Sequence, residues 1–109
     1  MELIDTGELK RKLDRGEDFK LVMVLGEWEY RAMHIPGSLR VSSVEEGAKT
    51  LDPDDEIVLY DSGRYCVASR MAYKILKEHG YPHVRCYAGG LEEWERAGYP
   101  LVVEGERTG

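Results

Sequence analysis

Two unbroken apolar runs of strand length, Leu21-Val22-Met23-Val24-Leu25 and Ile57-Val58-Leu59-Tyr60, constrain this chain more than any other feature. A strand with one wet face alternates apolar and polar residues. A run without polar interruption suits a strand covered on both faces, as in parallel sheets flanked by helices. The intervening segments carry helical signals. Asp5-Thr6-Gly7-Glu8 has capping-box spacing and predicts a helix through about Arg15, with Leu9 and Leu13 on one face and Gly16 as its C-cap. Glu27 to Met33 predicts a short helix, stopped at Ile35-Pro36-Gly37, where Pro then Gly predicts a type II turn. Ser38 to Val41 predicts a short strand, Val44 to Leu51 a helix, and Asp52-Pro53-Asp54-Asp55 a turn.

Beyond the second run, the loop from Asp61 to Cys66 leads into a longer helix. Its apolar stripe is Ala68, Met71, Ala72, Ile75 and Leu76, and it ends near His79-Gly80. Val84 to Ala88 predicts another strand, Gly89-Gly90 a tight turn, and Leu91 to Ala97 a last helix stopped by Gly98-Tyr99-Pro100. Strand and helix alternate at the spacing of an α/β domain: a three-layer α/β/α arrangement around a mostly parallel sheet. The expectation is one domain over residues 1–109, ordered to Val103, with a charged tail over 104–109 that frays.

The formal charge of -6 argues against a nucleic-acid partner, because phosphate binding needs a basic stripe. The cluster Lys10, Arg11, Lys12, Arg15 reads as the solvated face of a helix. No apolar run approaches the roughly 20 residues that span a bilayer, so no membrane partner is expected. Met1 to Asp5 holds two acids and no basic n-region, unlike a signal peptide, and a cytoplasmic location is the expectation. His79 and His83 stand four apart, but Gly80 and Pro82 break any helix that would align them, so no metal or cofactor is expected. Cys66 and Cys86 fit free thiols better than a disulfide.

Ligands of open α/β sheets bind outside the carboxyl ends of the strands. The richest such turn is Asp61-Ser62-Gly63-Arg64-Tyr65-Cys66-Val67-Ala68-Ser69, which runs into a helix N-terminus and is followed by Arg70. Free N–H groups and the helix dipole there favour an anion, and a thiolate is one. Cys66 would face away from the helix's apolar stripe, so a functional reading outweighs a packing one. Cys86 alternates with Val84 and Ala88 on a buried strand and reads as core. Asp61 reads as a strand-end carboxylate that satisfies turn N–H groups. A phosphoryl-accepting or Mg²⁺-holding role would want a second acidic cluster, and the first run offers only Glu27.

The segment His34-Ile35-Pro36-Gly37-Ser38 following Glu29-Tyr30 resembles the first rhodanese signature. Gly80-Tyr81, Val84, Gly89-Gly90-Leu91-Glu92-Glu93-Trp94 and Ala97-Gly98-Tyr99-Pro100 resemble the closing one. The chain is thereby identified as similar to the rhodanese-like, single-domain sulfurtransferases, in a longer-loop variety with the cysteine displaced toward the helix. The resemblance implies an α/β fold that moves sulfane sulfur through a cysteine persulfide. The usual nucleophile directly follows the central strand, where this chain has Asp61; Cys66 matches a second cysteine five residues on. The family often reads Asp-Val-Arg where Met23-Val24-Leu25 stands here. Phosphatase and arsenate-reductase relatives need an arginine six residues after the cysteine, and that position is Ala72.

Sulfur transfer is therefore the leading expectation. Cys66 would take sulfur from thiosulfate, a polysulfide or a partner protein's persulfide and pass it to a thiol or cyanide. Arg64 or Arg70 would attract an anionic donor, Ser62 or Ser69 would hydrogen-bond it, and Tyr65 would gate the site or pack over it. Two alternatives stay open: a non-catalytic protein-binding module with Asp61 marking a lost nucleophile, and a thiol redox sensor or carrier.

Overall fold

The computed structural model describes residues 2–24, 27–41, 44–63 and 67–103; of residues 27, 44, 45, 48 and 67 it describes the backbone alone. The elements are β1 (Leu3–Ile4), α1 (Thr6–Asp14), β2 (Lys20–Met23), α2 (Glu27–Ala32), β3 (Leu39–Arg40), α3 (Val44–Thr50), β4 (Ile57–Tyr60), α4 (Val67–Glu78), β5 (Val84–Tyr87) and α5 (Gly90–Arg96). The five strands form one sheet in the order β1-β5-β4-β2-β3, and every pairing is parallel. Helices cover both faces, as the unbroken runs predict.

Side-chain alternation shows why those runs are apolar throughout. Leu21 and Met23 of β2, with Val58 and Tyr60 of β4, join one core cluster together with Leu9, Leu91 and Trp94. Val22, Ile57 and Leu59 point the other way, into a second cluster with Leu51, Leu76 and Cys86. Each strand thus feeds two cores. The closing signature is also a packing unit. Trp94 is fully buried, meets Tyr87 and Tyr99 edge to face at centroid distances of 6.3 and 5.0 Å, and donates Nε1–H to the Pro100 carbonyl at 2.9 Å.

Local signals hold with small adjustments. Asp5 caps α1 by accepting the Glu8 N–H at 2.7 Å, while the Glu8 carboxylate pairs with Arg85 at 3.0 Å instead of completing the box. The Pro36-Gly37 turn closes through Ser38 N–H to the Ile35 carbonyl at 3.0 Å, with Gly37 at φ +86. The first apolar run starts its strand at Lys20 and ends it at Met23; Val24 adds one bond to the Tyr60 carbonyl, and Leu25 lies outside the described residues. The tail over 104–109 lies outside them too. Among the described residues, no helix is long and apolar enough to cross a membrane, and no group of three His, Cys, Asp or Glu is placed to hold a metal ion.

One element is new and two expectations are corrected. The strand β1 is unannounced in the sequence, because two residues cannot display a period and Leu3 is more than half exposed. Met71 is also exposed, at 60%. The α4 stripe faces an open apolar groove of about 310 Å³, shared with Val24, Val41 and Gly47, so its upper rim meets solvent. Lys12 is buried rather than solvated. Its ammonium pairs with Glu17 at 2.8 Å and with Glu56, and Glu56 also receives Arg85 at 3.2 Å.

This ion cluster predicts a pH dependence. Burial acts to lower the Lys12 pKa, but hydrogen bonds to Glu17 and Glu56 outweigh it and raise the value. The hydrogen bond from Lys12 holds Glu17 below the usual carboxylate range, against a smaller opposing effect of burial. A raised lysine stabilises below its unfolded pKa and loses that as pH rises through the folded one. A depressed carboxylate stabilises above its unfolded pKa and loses that as pH falls through the folded one. The Tm difference between wild type and Lys12→Met should therefore be greatest between about pH 4.3 and 10.4 and shrink on either side. A difference flat across pH would remove ion pairing as its cause.

Candidate functional site

The carboxyl ends of β4 and β5 form the ledge on which the Cys66 loop starts. Directly after β4, the backbone carbonyls of Asp61 and Ser62 accept the N–H groups of Leu91 and Glu92, both at 3.0 Å. The loop is thereby stitched to the first turn of α5. Two glycines make this closeness possible. Gly63 stands at φ +118, and a Cβ there would lie 2.2 Å from the Gly89 carbonyl oxygen. Gly90 stands at φ +60, and its Cβ would lie 2.5 Å from the Asp61 carbonyl oxygen. Both positions need the left-handed region and the absence of a side chain.

The Asp61 carboxylate is buried, at 3% exposure. Its Oδ1 accepts the Gly63 N–H at 2.9 Å. Its Oδ2 accepts the Ser69 N–H at 3.3 Å and the Ser69 hydroxyl at 3.2 Å. Ser69 is fully buried, and its carbonyl receives the Cys86 thiol at 3.6 Å. Cys86 itself is a free cysteine at zero exposure within the core.

Behind the ledge, Tyr60 ends β4 and anchors the His34–Ser38 segment. Its hydroxyl accepts the Ile35 N–H at 3.0 Å and shares a 2.8 Å hydrogen bond with the Ser38 hydroxyl. Burial pushes the Tyr60 phenol up to about 12, against smaller lowering effects of those two hydrogen bonds. Tyr30 donates to the Ser38 carbonyl at 2.8 Å and stacks on His34 at 3.9 Å. The first signature is thus a scaffold clipped to the end of the central strand.

Of the residues singled out from sequence, Asp61, Ser62, Gly63 and Ser69 are brought together. Ser62 and Arg70 are exposed and Ala68 is half-buried. Arg64, Tyr65 and Cys66 lie outside the described residues, and Val67 opens α4. The sequence reading missed Gly89-Gly90 as the partner of the Cys66 loop. The doubled glycine signals a turn; that a second backbone closes on it is a tertiary fact. It also missed a cleft of about 260 Å³ beside Gly63, lined by Glu92, Glu93 and Arg96.

A sequence profile described as "Rhodanese-like domain" matches residues 5–97. The chain belongs to the rhodanese-like family. This rhodanese-like chain is 36% identical, over 99% of its length, to an HTH-type transcriptional regulator of Mycobacterium tuberculosis, of which it covers 47%. It is 33% identical, over 78% of its length, to the putative sulfur carrier protein YrkF of Bacillus subtilis, of which it covers 46%. The chain thus spans less than half the length of these two relatives. Among solved structures, the Alr3790 protein from Anabaena superposes with a TM-score of 0.84 at 26% identity, over 94% of this chain and 82% of that one. Its fold is the rhodanese fold, and some of its relatives handle sulfur by name.

Proposed function

We propose that this domain is a sulfurtransferase that carries sulfane sulfur as a persulfide on Cys66. The observation that carries this reading is the described frame around residues 64–66. A loop pinned to β4 and α5 on one side and to α4 on the other brackets a cysteine that directly precedes a twelve-residue helix. The helix N-terminus favours the thiolate over the thiol. Similarity to a putative sulfur carrier supports the same chemistry.

In the proposed step, the Cys66 thiolate attacks the outer sulfur of thiosulfate. A Cys–S–S⁻ bond forms, the S–S bond of the donor breaks, and sulfite leaves with its electron pair. An acceptor thiolate or cyanide then attacks the outer sulfur, and the Cys66 thiolate returns. A polysulfide or a partner protein's persulfide serves as donor by the same exchange. No general base is required, because the nucleophile is a thiol. Arg64 and the exposed Arg70 draw in an anionic donor, and the exposed Ser62 offers it a hydroxyl. The Ser69 hydroxyl is already spent on Asp61. We assign this chemistry to the cytoplasm, where acceptor thiols stay reduced.

The test is the intact mass of the reduced protein after exposure to thiosulfate or polysulfide. The expected result is a gain of one sulfur atom that cyanide removes as thiocyanate. A folded protein that gains none from either donor would overturn the reading. The similarity to a transcriptional regulator over nearly the whole chain favours one second reading, a thiol sensor. That reading expects Cys66 to oxidise reversibly to a mixed disulfide, without cyanide-labile sulfur.

A further inference from the structure

We infer that the apolar groove between α3 and α4 is a binding slot for an aliphatic anion, an alkyl chain of about eight to ten carbons that ends in a carboxylate. The inference stands apart from the sulfur-transfer reading.

The groove is out of keeping with the rest of the interior. Val22 and Leu59 form its buried floor, Gly47 and Leu51 stand on the α3 side, and Met71 and Ala72 on the α4 side. Protein interiors are close-packed, with few voids larger than a water molecule. This space measures about 310 Å³, roughly ten water volumes. Every described side chain that lines it is apolar. A confined water needs about two to four polar partners, so water is a poor filling here. The second core cluster is left incomplete on this side, and the space favours an apolar occupant.

The size argues for a small ligand. The slot offers far less surface than the roughly 800 Å² per partner that a stable protein interface buries. Its volume falls at the lower end of the roughly 300–1,000 Å³ of small-molecule pockets. At about one water volume per methylene, it takes a chain of roughly eight to ten carbons.

The charge at the mouth selects the head. Met71 is exposed there. Lys74 is three residues from Met71 and four from Arg70, so the two cations are neighbours on the solvent side of the rim. Both are exposed, and neither makes a hydrogen bond or an ion pair among the described residues. The one acid of α4 is Glu78, its last residue. In a chain of formal charge -6, two unpaired cations beside an apolar mouth are a local exception that suits an anionic head. The tail supplies most of the affinity. Each buried methylene tightens binding about three- to fourfold, whereas an exposed ion pair adds about two- to fivefold in all.

The test is calorimetric titration of the folded protein with hexanoate, octanoate and decanoate, with octanol and octylammonium as controls, all below their micelle concentrations. Affinity is expected to climb about three- to fourfold per methylene and to level off once the slot is full. Octanoate should bind about two- to fivefold more tightly than octanol, and octylammonium more weakly than either. Lys74→Glu should erase the advantage of octanoate and leave octanol unchanged. Ala72→Leu adds an isopropyl group inside the slot and should weaken octanoate about tenfold or more. If Ala72→Leu does not fold, Met71→Asp decides, because Met71 is exposed and its replacement is tolerated. A carboxylate at the mouth should weaken octanoate and not octylammonium. Unchanged octanoate affinity in the folded variant would overturn the proposal. So would a flat chain-length series, or octylammonium binding as tightly as octanoate. A protein that sediments as a dimer and binds octanoate only on dissociating would overturn it too, and would make a second copy of this chain the occupant.

Discussion

Cys66→Ser is expected to abolish sulfur uptake from thiosulfate or polysulfide, and Cys86→Ser to leave it nearly intact. A serine hydroxyl is essentially un-ionised near neutrality, forms no persulfide, and has no general base assigned to activate it. Cys86 is unexposed, in the middle layer of the sheet, and can meet no donor without unfolding. Its replacement places a hydroxyl where a weakly polar thiol packs, so a stability loss of about 1–3 kcal/mol is expected without loss of chemistry. The measurement is thiocyanate released by cyanide after loading, normalised to folded protein. Equal loss in the two variants would remove Cys66 from its assigned role.

Gly90→Ala should be the most damaging single-methyl change in the site. The added Cβ would lie 2.5 Å from the Asp61 carbonyl oxygen and from the Gly63 Cα, at a φ of +60. Neither neighbour is a flexible side-chain end; both belong to the backbone of the Cys66 loop. Relief requires pulling the loop from α5, which breaks the 3.0 Å bonds from Leu91 and Glu92. Strain of about 1–3 kcal/mol from the backbone conformation then adds to the loss of these bonds. A Tm decrease of more than about 10 °C is expected for a domain of this size. Sulfur uptake should fall with it. Gly98→Ala is the control. Gly98 has φ +79 with nothing within 4 Å of its Cβ position, so only the conformational cost of about 1–2 kcal/mol remains. If the two variants melt together, the closeness of the two turns is not what makes Gly90 necessary.

The architecture was legible because two of its strands, β2 and β4, carry unbroken apolar runs. Leu21 through Met23 and Ile57 through Tyr60 supply alternate residues to two cores, as a doubly covered sheet requires. What escaped reading depended on partners far along the chain. Lys12 sits among charged neighbours in sequence and looks solvated; Glu56, brought beside it by the end of the sheet, makes it a buried ion partner. Met71 continues a helical stripe, yet the groove it faces stays open. At the candidate site, the N–H-satisfying role of Asp61 follows from its place after a strand, and the structure bears it out. That one of its partners lies on α4, and that Gly90 abuts its carbonyl, follows only from how the strand ends converge.

The strand order has a consequence for how the protein comes into being on the ribosome. Leu3 and Ile4 pair with Cys86 and Tyr87, and Thr6 shares a 2.7 Å hydrogen bond with the Tyr87 hydroxyl. The β1 segment therefore waits for β5 before it has a neighbour. Until then the nascent chain can gather β2, β3 and β4, but β4 lacks its β5 side and presents a bare ladder edge. The sheet of this domain should accordingly close in one late step, when β5 slides between β4 and β1. That step also brings Gly89-Gly90 up against the Cys66 loop. The turn after β4 is then backed by Gly89-Gly90 only once β5 is in place, and a polypeptide stalled before β5 would carry Cys66 without that backing.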